Sequence, residues 1–493
     1  MTASPPTLDP AVAYRALTSR DSRFDGVFFV GVTSTGIYCR PICPVKSPQL
    51  KNCRFYASAE AAEKASFRPC LRCRPELAPG HAPVDQAHRI AHLMVQRIDE
   101  GLADDGADLE EIVGQFGLSS RQFRRIIQQE LGVSPIELLQ TRRLLLAKQL
   151  LTETTLPVID IAFASGFSSL RRFNDAFSSQ YRMPPTRLRQ KAAEPVAGAT
   201  PHPTATLRLA YRPPYDWDAM LAFLDGRKIQ GVESVTGGAY LRTVRLGKHT
   251  GWFKVTHLPE NHALSVEVCR SLMPALPALL GRIRNLFDLA ARPDLIATHL
   301  SQDKLLKKSV LKNPGLRVAG AFDGFELAVR AVLGQQITVK AATTIAGRVA
   351  LAFGRKIETP FPALDRLAPT ADALARATVD DIAKLGIVSA RAKTLIALAQ
   401  AFQSGALRLE AGAAPEAVIT QLVTLPGIGQ WTAHYIAMRA LRWPDAFPKE
   451  DIAVRNNLGG VTARRAEELS QVWRPWRSYA VVHLWNLKNL KKI

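Results

Sequence analysis

Cys39-Arg-Pro-Ile-Cys43 and Cys70-Leu-Arg-Cys73 are the two stretches that determine how the amino-terminal part of this chain folds. They hold four of the five cysteines that cluster there, and Cys53 stands alone between them. Two thiolates in one short loop can reach the same metal ion, and two such loops close a tetrahedral zinc site. Two paired cysteine loops separated by about thirty residues therefore predict bound zinc.

The alternative for this cluster is a disulfide framework in a secreted domain. Five cysteines would leave one thiol unpaired, and the start of the chain, Met-Thr-Ala-Ser-Pro-Pro, shows no charged region followed by an apolar one. We therefore expect an intracellular, cytoplasmic protein, because thiols stay reduced in that compartment and zinc sites persist there.

The residues around the cysteines read Gly36-Ile-Tyr-Cys39-Arg-Pro41 and Phe67-Arg-Pro-Cys70-Leu-Arg-Cys73. Here the chain closely resembles the amino-terminal domain of Ada-type response proteins, which repairs methylphosphotriesters in DNA. The resemblance implies one Zn2+ ion and a ligand set made of Cys39, Cys43, Cys70 and Cys73. It also implies that Cys39 accepts the methyl group. Cys53 matches no ligand of the family, and we expect it to be a small buried residue.

Charge provides a switch for such a site. Zinc holds a thiol as thiolate, which is the nucleophilic form. Four thiolates on one Zn2+ ion carry a net charge of −2, which repels DNA phosphates, and methylation of one sulfur reduces it to −1. Four arginines flank the cysteines, and their charge should then raise the affinity for DNA. These residues are Arg40, Arg68, Arg72 and Arg74.

The composition is that of a globular protein with a strong excess of positive charge. Of 493 residues, 47% are hydrophobic and 22% charged, and this length predicts about three or four domains. Lysine and arginine outnumber aspartate and glutamate by 64 to 43, which gives a net charge of +21. This excess indicates nucleic acid as the first candidate partner. No segment approaches about 20 apolar residues, so we expect no membrane association.

An internal repeat lies in the helical stretch 85–192. Ile112-Val-Gly-Gln-Phe-Gly117-Leu-Ser-Ser120 returns as Ile161-Ala-Phe-Ala-Ser-Gly166-Phe-Ser-Ser169. Each copy predicts an apolar helix, a glycine turn and a serine-capped helix rich in arginine. The apolar period over residues 137–151 predicts a further helix between the copies. A glycine turn between helices is common, but two in register predict a double helix-turn-helix.

The repeat resembles the AraC-type DNA-binding domain. The resemblance implies two recognition helices presented to successive major-groove faces, about 34 Å apart. We expect these helices to begin at Ser119 and Ser168. The expected DNA contacts are Ser119, Arg121, Ser168, Arg171 and Arg172. Phe123 and Phe173 are instead expected in the core.

Downstream, residues 193–206 are rich in Ala, Pro and Thr and predict a linker. From residue 207 the hydrophobic period changes to two, as in Leu264, Val266 and Val268, which predicts a β-rich stretch ending in a helix near residues 280–289. From about residue 318 the pattern predicts helices almost to the end of the chain.

A second candidate site lies in Leu425-Pro-Gly427-Ile-Gly429-Gln-Trp431. Bare glycines expose backbone N–H groups, and the positive end of the following helix adds to them, so the turn suits a phosphate. Alone it could be an ordinary turn between helices, and Asp451 further on could be an ordinary helix cap. Together they resemble the helix-hairpin-helix DNA glycosylase superfamily.

Several motifs narrow this resemblance to the AlkA-type 3-methyladenine glycosylases from about residue 207 onwards. They are Arg212-Pro-Pro-Tyr-Asp-Trp217, Pro314-Gly-Leu-Arg317, Phe325-Glu-Leu-Ala-Val-Arg330 and Trp473-Arg-Pro-Trp476-Arg-Ser-Tyr479. The resemblance implies that Asp451 is catalytic, that Gly427 and Gly429 bind a DNA phosphate, and that residues 207–317 carry no chemistry. It also implies a base pocket lined by Trp431, Tyr435 and Trp485, although each of these could be an ordinary core aromatic.

Two positions refine the expected chemistry. Superfamily members that also cut the strand carry a lysine where this chain has Trp431, and an indole cannot form a Schiff base, so we expect base removal only. The base must leave the stack to be reached. The AlkA-type wedge that fills the gap aligns with Gln336, while Ile337 beside it is the alternative.

The predicted fold class is multidomain and mainly α, with α+β parts. Its expected domains are a small zinc-binding α/β module (1–80), a double helix-turn-helix (85–192), a linker (193–206), a β-rich AlkA-like domain (207–317) and an all-α helix-hairpin-helix glycosylase domain (318–493). The Pro-Cys-His-Arg motif of guanine methyltransferases is absent. Repair of alkylated guanine oxygen by suicide transfer is therefore not expected.

The first hypothesis for function is a bifunctional DNA alkylation repair protein and methylation-activated transcriptional regulator. The alternatives are a transcription activator with an inactive glycosylase domain, and a repair enzyme whose helix-turn-helix adds only nonspecific affinity. The expected partners are alkylated and promoter double-stranded DNA and RNA polymerase. We expect a nucleoid-associated monomer, zinc in the first module, and no cofactor for the glycosylase.

Overall fold

The computed structural model describes residues 10–20, 28–56, 59–73, 75, 91, 94, 119–191, 204–409 and 415–490. The chain forms two compact units, one of Met1–Val95 with Asp108–Leu138 and the other of Gln96–Ala107 with Leu139–Ile493. Over the described ranges, no helix combines the length and the apolar character needed to cross a bilayer.

A four-stranded sheet organises the zinc module, in the order β3-β1-β2-β4. Its strands are β1 (Phe29–Val32), β2 (Ile37–Cys39), β3 (Cys53–Tyr56) and β4 (Arg68–Pro69). The module's helices are α1 (Pro10–Ser19) and α2 (Ala59–Lys64). Strand β2 pairs in parallel with β4, and the Cys70 N–H donates to the Tyr38 carbonyl over 3.0 Å. This pairing brings the two cysteine loops to the same edge of the sheet.

The next helices are α3 (Ser120–Leu131), α4 (Pro135–Glu153), α5 (Val158–Ala164), α6 (Leu170–Tyr181) and α7 (Pro185–Lys191). Ser119 caps α3 in a capping box with Gln122, which matches the predicted start of that recognition helix. The second one begins later than predicted, because the Ser169 side chain, rather than Ser168, accepts the capping hydrogen bond from the Arg172 N–H. Residues 112–118 of the first repeat lie outside the described residues.

The repeats' phenylalanines are core residues, as predicted. Phe123 and Phe173 are both completely buried. The turn before α6 uses Gly166 at φ +82°, a conformation that favours glycine. The sequence therefore correctly separated core from surface positions within this repeat.

Five antiparallel strands form the second sheet, in the order β5-β9-β8-β7-β6. They are β5 (Thr204–Ala210), β6 (Glu233–Thr236), β7 (Ala239–Leu246), β8 (His249–Leu258) and β9 (Ala263–Cys269). The alternation read from the sequence is confirmed, since Leu264, Val266 and Val268 are completely buried. Because β5 begins at Thr204, the last residues of the predicted linker belong to this sheet.

Helices α8 (Trp217–Asp225) and α9 (Leu276–Leu286) share an apolar core with the second sheet. The remaining helices are α10 (Pro293–Leu300), α11 (Lys304–Lys312), α12 (Gly324–Leu333), α13 (Val339–Phe353), α14 (Ala371–Ala375), α15 (Val379–Ala383), α16 (Ser389–Gln403), α17 (Pro415–Thr424), α18 (Gln430–Arg439), α19 (Ile452–Asn457), α20 (Ala463–Ser470) and α21 (Arg477–Leu490). They surround an apolar core that includes Phe325, Ile436 and Trp473. The glycine hairpin joins α17 to α18, and α19 follows it.

Candidate active sites

The four paired cysteines meet in one buried cluster. The Sγ atoms of Cys39, Cys43, Cys70 and Cys73 all lie within 4.8 Å of one another. A tetrahedral zinc ion with bonds of about 2.3 Å needs sulfur atoms about 3.8 Å apart, so the cluster fits zinc. All four thiols are buried, and the Arg40 N–H donates to the Cys73 Sγ over 3.4 Å. This donor set makes the cluster a zinc site.

Two expectations about the residues near this site need correction. Arg40 is completely buried, because its side chain turns inward and Nη1 donates to the Cys73 carbonyl over 3.4 Å, so it does not present charge to DNA. Arg68 and Arg72 are exposed, and Arg74 lies outside the described residues. Cys53 is only half-buried and its thiol donates to the Gln49 carbonyl over 3.4 Å, so it is neither a ligand nor a fully buried residue.

The five side chains of the repeats that are expected to contact DNA are all exposed at the surface. Ser119 and Arg121 are exposed at the start of α3, and Ser168, Arg171 and Arg172 are exposed at the start of α6. Arg172 donates to the Ser168 Oγ over 3.3 Å, and Arg171 lies 3.9 Å from the Asp175 carboxylate. These contacts are weak at the surface, so the guanidinium groups are available to an approaching anion.

Asp451 is held by donors on three sides. Its Oδ1 accepts from the Val454 N–H over 2.9 Å, which makes it the cap of α19. The indole N–H groups of Trp431 and Trp485 also donate to it, over 3.0 Å and 3.2 Å. The residue is only 9% exposed. A carboxylate has about four acceptor positions, so one remains for a water molecule or a substrate.

The same two indoles belong to an aromatic cluster beside Asp451. Trp431 stacks on Tyr435 with centroids 5.4 Å apart and planes 12° apart, and Tyr435 lies 6.5 Å from Trp485. Phe223 of α8 stacks on Trp485 at 6.5 Å. Residues 207–317, for which the resemblance implies no chemistry, therefore contribute at least one packing contact to this cluster. No local signal in the sequence marks Phe223, because it reaches this cluster only through tertiary packing.

Two arginine guanidinium groups contact the rings of Tyr435 and Phe223. Arg439 donates to the Tyr435 hydroxyl over 2.9 Å and to the carbonyls of Ala319 and Gly320, both over 2.8 Å. The Arg227 guanidinium carbon lies 3.8 Å from the Phe223 centroid. Burial by itself raises the pKa of Tyr435, but the positive charges of Arg439 and Arg227 outweigh it and bring the pKa below its usual value. Sequence reasoning missed this arginine layer.

The glycine hairpin is shaped by its neighbours. Gly427 has φ +81°, and a Cβ there would lie 2.2 Å from the Thr394 Oγ1. Gln335 fixes the turn by donating to the Gly427 carbonyl and to the Thr432 Oγ1, both over 2.9 Å. Gly429 begins α18 and has open space around it. The turn therefore presents free backbone N–H groups at a helix N-terminus, an arrangement that suits a phosphate.

The predicted wedge position lies in the loop between α12 and α13. Gln336 is exposed and has φ +56°, a left-handed conformation unusual for a residue with a side chain. Ile337 beside it is half-buried. Of the two candidates, Gln336 is the one that reaches into solvent.

Four sequence profiles match the chain in order. "Metal binding domain of Ada" covers residues 12–76 and "Helix-turn-helix domain" covers residues 112–191. "AlkA N-terminal domain" covers residues 206–323, and "HhH-GPD superfamily base excision DNA repair protein" covers residues 329–476.

Whole sequences and solved structures agree with these profiles. The chain is 40% identical to the "Probable bifunctional transcriptional activator/DNA repair enzyme AlkA" of Mycobacterium tuberculosis, over 96% of this chain and 95% of that protein. It is 35% identical to "DNA-3-methyladenine glycosylase 2" of Escherichia coli, over 56% of this chain and 95% of that protein. The 3-methyladenine DNA glycosylase from Archaeoglobus fulgidus shares the fold, with 18% identity and a TM-score of 0.50 over 58% of this chain and 99% of that one.

Proposed function

The chain belongs to the family of bifunctional transcriptional activator/DNA repair enzymes, and on this premise we propose that it removes alkylated bases from DNA and regulates transcription in response to DNA methylation. The repair activity is inferred from the surroundings of Asp451. Its nearly buried carboxylate accepts hydrogen bonds from two indole N–H groups, and the same two indoles belong to an aromatic cluster. The cluster of four cysteines carries the methyl-acceptor activity.

Asp451 is the proposed catalytic residue for cleavage of the base–sugar bond. As the bond breaks, positive charge builds on the sugar, and a fixed carboxylate in a dry site stabilises this charge strongly. Its remaining acceptor position can orient the attacking water. The resemblance assigns Trp431 to the position at which strand-cutting members of the superfamily carry a lysine, so the proposed reaction ends with base release and an intact strand.

The aromatic cluster is the proposed base pocket. A purine extruded from the duplex can stack between Trp431, Tyr435 and Trp485, with Phe223 extending the surface. Electron-rich rings attract a cationic base by about 1–2 kcal/mol when desolvated. Alkylated purines such as 3-methyladenine are the proposed substrates, and a cationic base leaves without a cofactor. Gly427 and Gly429 would anchor a phosphate beside the lesion, and Gln336 would fill the gap in the stack.

Cys39 is the proposed methyl acceptor. Its Sγ attacks the methyl carbon of a methylphosphotriester, the S–CH3 bond forms, the O–CH3 bond breaks, and the phosphodiester anion departs with the electron pair. Zinc bound by the four cysteines would keep the Cys39 sulfur as a thiolate. The thioether product does not release its methyl group, so each chain acts once.

The regulatory part of the proposal depends on the negative charge of the four-cysteine zinc site. Methylation of Cys39 removes one negative charge beside the exposed Arg68 and Arg72, which raises the affinity for DNA. Base contacts are assigned to the α3 and α6 starts, through Ser119, Arg121, Ser168, Arg171 and Arg172. We place the protein on the cytoplasmic nucleoid as a monomer that contacts RNA polymerase. The domain limits are those expected from the sequence, except that the β-rich domain begins at Thr204.

Base release from methylated DNA tests the repair activity. Asp451→Asn should bind methylated duplex but release 3-methyladenine slower by roughly 100-fold, because it loses the principal electrostatic stabiliser. Glu450→Gln is the matched control and should have a mild effect. Neither protein should nick the strand. Release by Asp451→Asn at the wild-type rate would refute the catalytic assignment, and no release by the wild type would favour an activator with an inactive glycosylase domain.

Peptide mass spectrometry tests the acceptor. After incubation with methylphosphotriester DNA, we expect one methyl group on Cys39 and none on the half-buried Cys53. The methylated protein should protect promoter DNA in a footprint at lower concentration than the unmethylated protein. A methyl group on Cys43 or Cys53 would overturn the assignment.

A further inference from the structure

The carboxyl-terminal end of α4 contacts β5, one of the two edge strands of the second sheet. The backbone N–H and C=O groups of Arg208 in β5 point away from the neighbouring strand β9. The Gln149 side chain donates to the Arg208 carbonyl over 2.7 Å, and the Arg208 N–H donates to the Glu153 carboxylate over 2.9 Å. At Arg208, one amide and one carboxylate thus replace the donor and acceptor of a neighbouring strand.

A second contact lies on α5. The Asp160 carboxylate accepts from Arg270 over 2.6 Å, directly after β9. Helix α5 packs against the same short segment, Arg270–Ala275. One continuous apolar cluster joins Leu150 and Ile161 of these helices to Leu207 and Leu272 of the sheet domain. The polar contacts fix the register of an interface that is apolar at its centre.

The same packing reaches the recognition helix. Phe173 and Phe177 of α6 contact each other at 5.5 Å, Phe177 contacts Tyr181 at 4.5 Å, and the Tyr181 hydroxyl donates to the Leu144 carbonyl of α4 over 3.4 Å. The α6 helix, which presents Arg171 and Arg172, is therefore fixed to α4. Through α4 it is fixed to the domain that contributes Phe223 to the aromatic cluster.

We propose that Gln149, Glu153 and Asp160 form an intramolecular docking face that fixes the second helix-turn-helix half onto the glycosylase. DNA binding by this helix-turn-helix half then affects DNA binding by the glycosylase, and the reverse. A free energy of coupling between two sites is reciprocal, so the effect runs in both directions. The docking itself follows from the contacts alone, whereas the coupling rests on the proposed function of α6 and of the glycosylase. This interface joins residues 139–191 directly to the sheet domain.

Hydrogen exchange of the full-length protein tests the docking. Arg270→Asp lies outside α4–α6, yet it should accelerate exchange of the α5 and α6 amides at least three-fold, because it sets two carboxylates against each other. The swap Asp160→Arg with Arg270→Asp should restore the wild-type exchange rates. Arg292→Asp is the control, since Arg292 pairs only locally with Asp294 over 2.8 Å and should leave α5 and α6 unchanged.

Glu153→Lys provides a second test that does not depend on the ion pair, since it places a donor against the Arg208 N–H and should accelerate exchange in β5 and in the end of α4. At saturating methylated duplex, the kcat for 3-methyladenine release should stay at the wild-type value in both variants, which shows that they fold. Unchanged exchange in both Arg270→Asp and Glu153→Lys would overturn the docking.

A double-mutant cycle on enzyme kinetics tests the coupling. Arg171→Ala with Arg172→Ala should raise the KM for methylated duplex at least three-fold in the docked protein, with kcat unchanged. The same pair should change KM less when Arg270→Asp is also present. Equal changes in both backgrounds would overturn the coupling and leave the docking intact, while an inactive wild type would instead refute the proposed function.

Discussion

The Asp451 carboxylate has a structural role beside its proposed catalytic role. It caps α19 through the Val454 N–H and aligns two indoles, and so the geometry of the aromatic cluster depends on it. The sequence offered a choice between a helix cap and a catalytic acid, but the two roles are compatible. Nearby Glu450 has a buried oxygen without a hydrogen-bond partner and makes none of these contacts, which makes it a useful control.

His483 gives a pH-dependent prediction at the residue scale. Burial lowers its pKa from 6.5 to about 4, and its Nδ1 lies 3.0 Å from the Ser309 Oγ. Between these values the unfolded chain binds a proton that the folded chain does not. The contribution of His483 to stability is therefore present above pH 6.5 and is lost as the pH falls towards 4, by about 3 kcal/mol in all.

The variant His483→Asn can keep the hydrogen bond but cannot titrate. The difference in free energy of unfolding between the variant and the wild type, measured by urea unfolding from pH 7 to pH 4, should change by that amount. Asp288 and Glu326, whose pKa values burial raises to about 6 and about 7, titrate in both proteins and cancel. A constant difference across this range would contradict the prediction.

The glycine hairpin makes a prediction at the scale of an element. Gly427 has both a positive φ and a close neighbour, Thr394, whereas Gly429 has neither. Gly427→Ala should therefore destabilise the glycosylase domain by about 2 kcal/mol or more through backbone strain and steric overlap. Thermal unfolding measures this loss, and duplex affinity should fall with it.

Gly429→Ala is the matched substitution on the same hairpin. It has room for a Cβ and an ordinary φ of −92°, so its stability should stay near that of the wild type. Any loss of DNA affinity in this variant then reports on a phosphate that approaches the backbone closely. Equal destabilisation by both substitutions would show that the tertiary contact with Thr394 is not what requires glycine.

At the scale of the whole molecule, the division into two units predicts which functions fail together. The zinc cluster lies in one unit, and the aromatic cluster with Asp451 lies in the other. Cys70→Ser should abolish zinc binding and unfold the zinc module, because structural zinc sites contribute on the order of 10 kcal/mol. Base release should persist at the wild-type rate. Metal analysis and 3-methyladenine release on the same sample check this, and joint loss of both would contradict the division.

Features that depend on short spacing along the chain could be predicted from the sequence. Cysteine pairs, the repeated glycine turns and serine caps, the alternation of β9 and the glycine hairpin are all local, because loop length, φ preference and side-chain period act within a few residues. These patterns predicted the zinc site, and together with the family resemblances they predicted the order of the domains. The catalytic role of Asp451 rested on such a resemblance and stays a prediction. They also separated Phe123 and Phe173 from the surface.

Contacts between residues that are distant in the sequence depend on tertiary packing and could not be predicted. Phe223 stacks on Trp485 of the aromatic cluster, and Arg439 donates a hydrogen bond to the Tyr435 hydroxyl. The Arg40 side chain is bonded inside the zinc module, and the end of α4 contacts β5. Helix α6 starts at Leu170 and not at Ser168 as predicted, because the Ser169 side chain accepts the capping hydrogen bond. Such contacts depend on how completed helices and sheets pack and on which charges that packing buries, and no period or spacing along the chain encodes those distances.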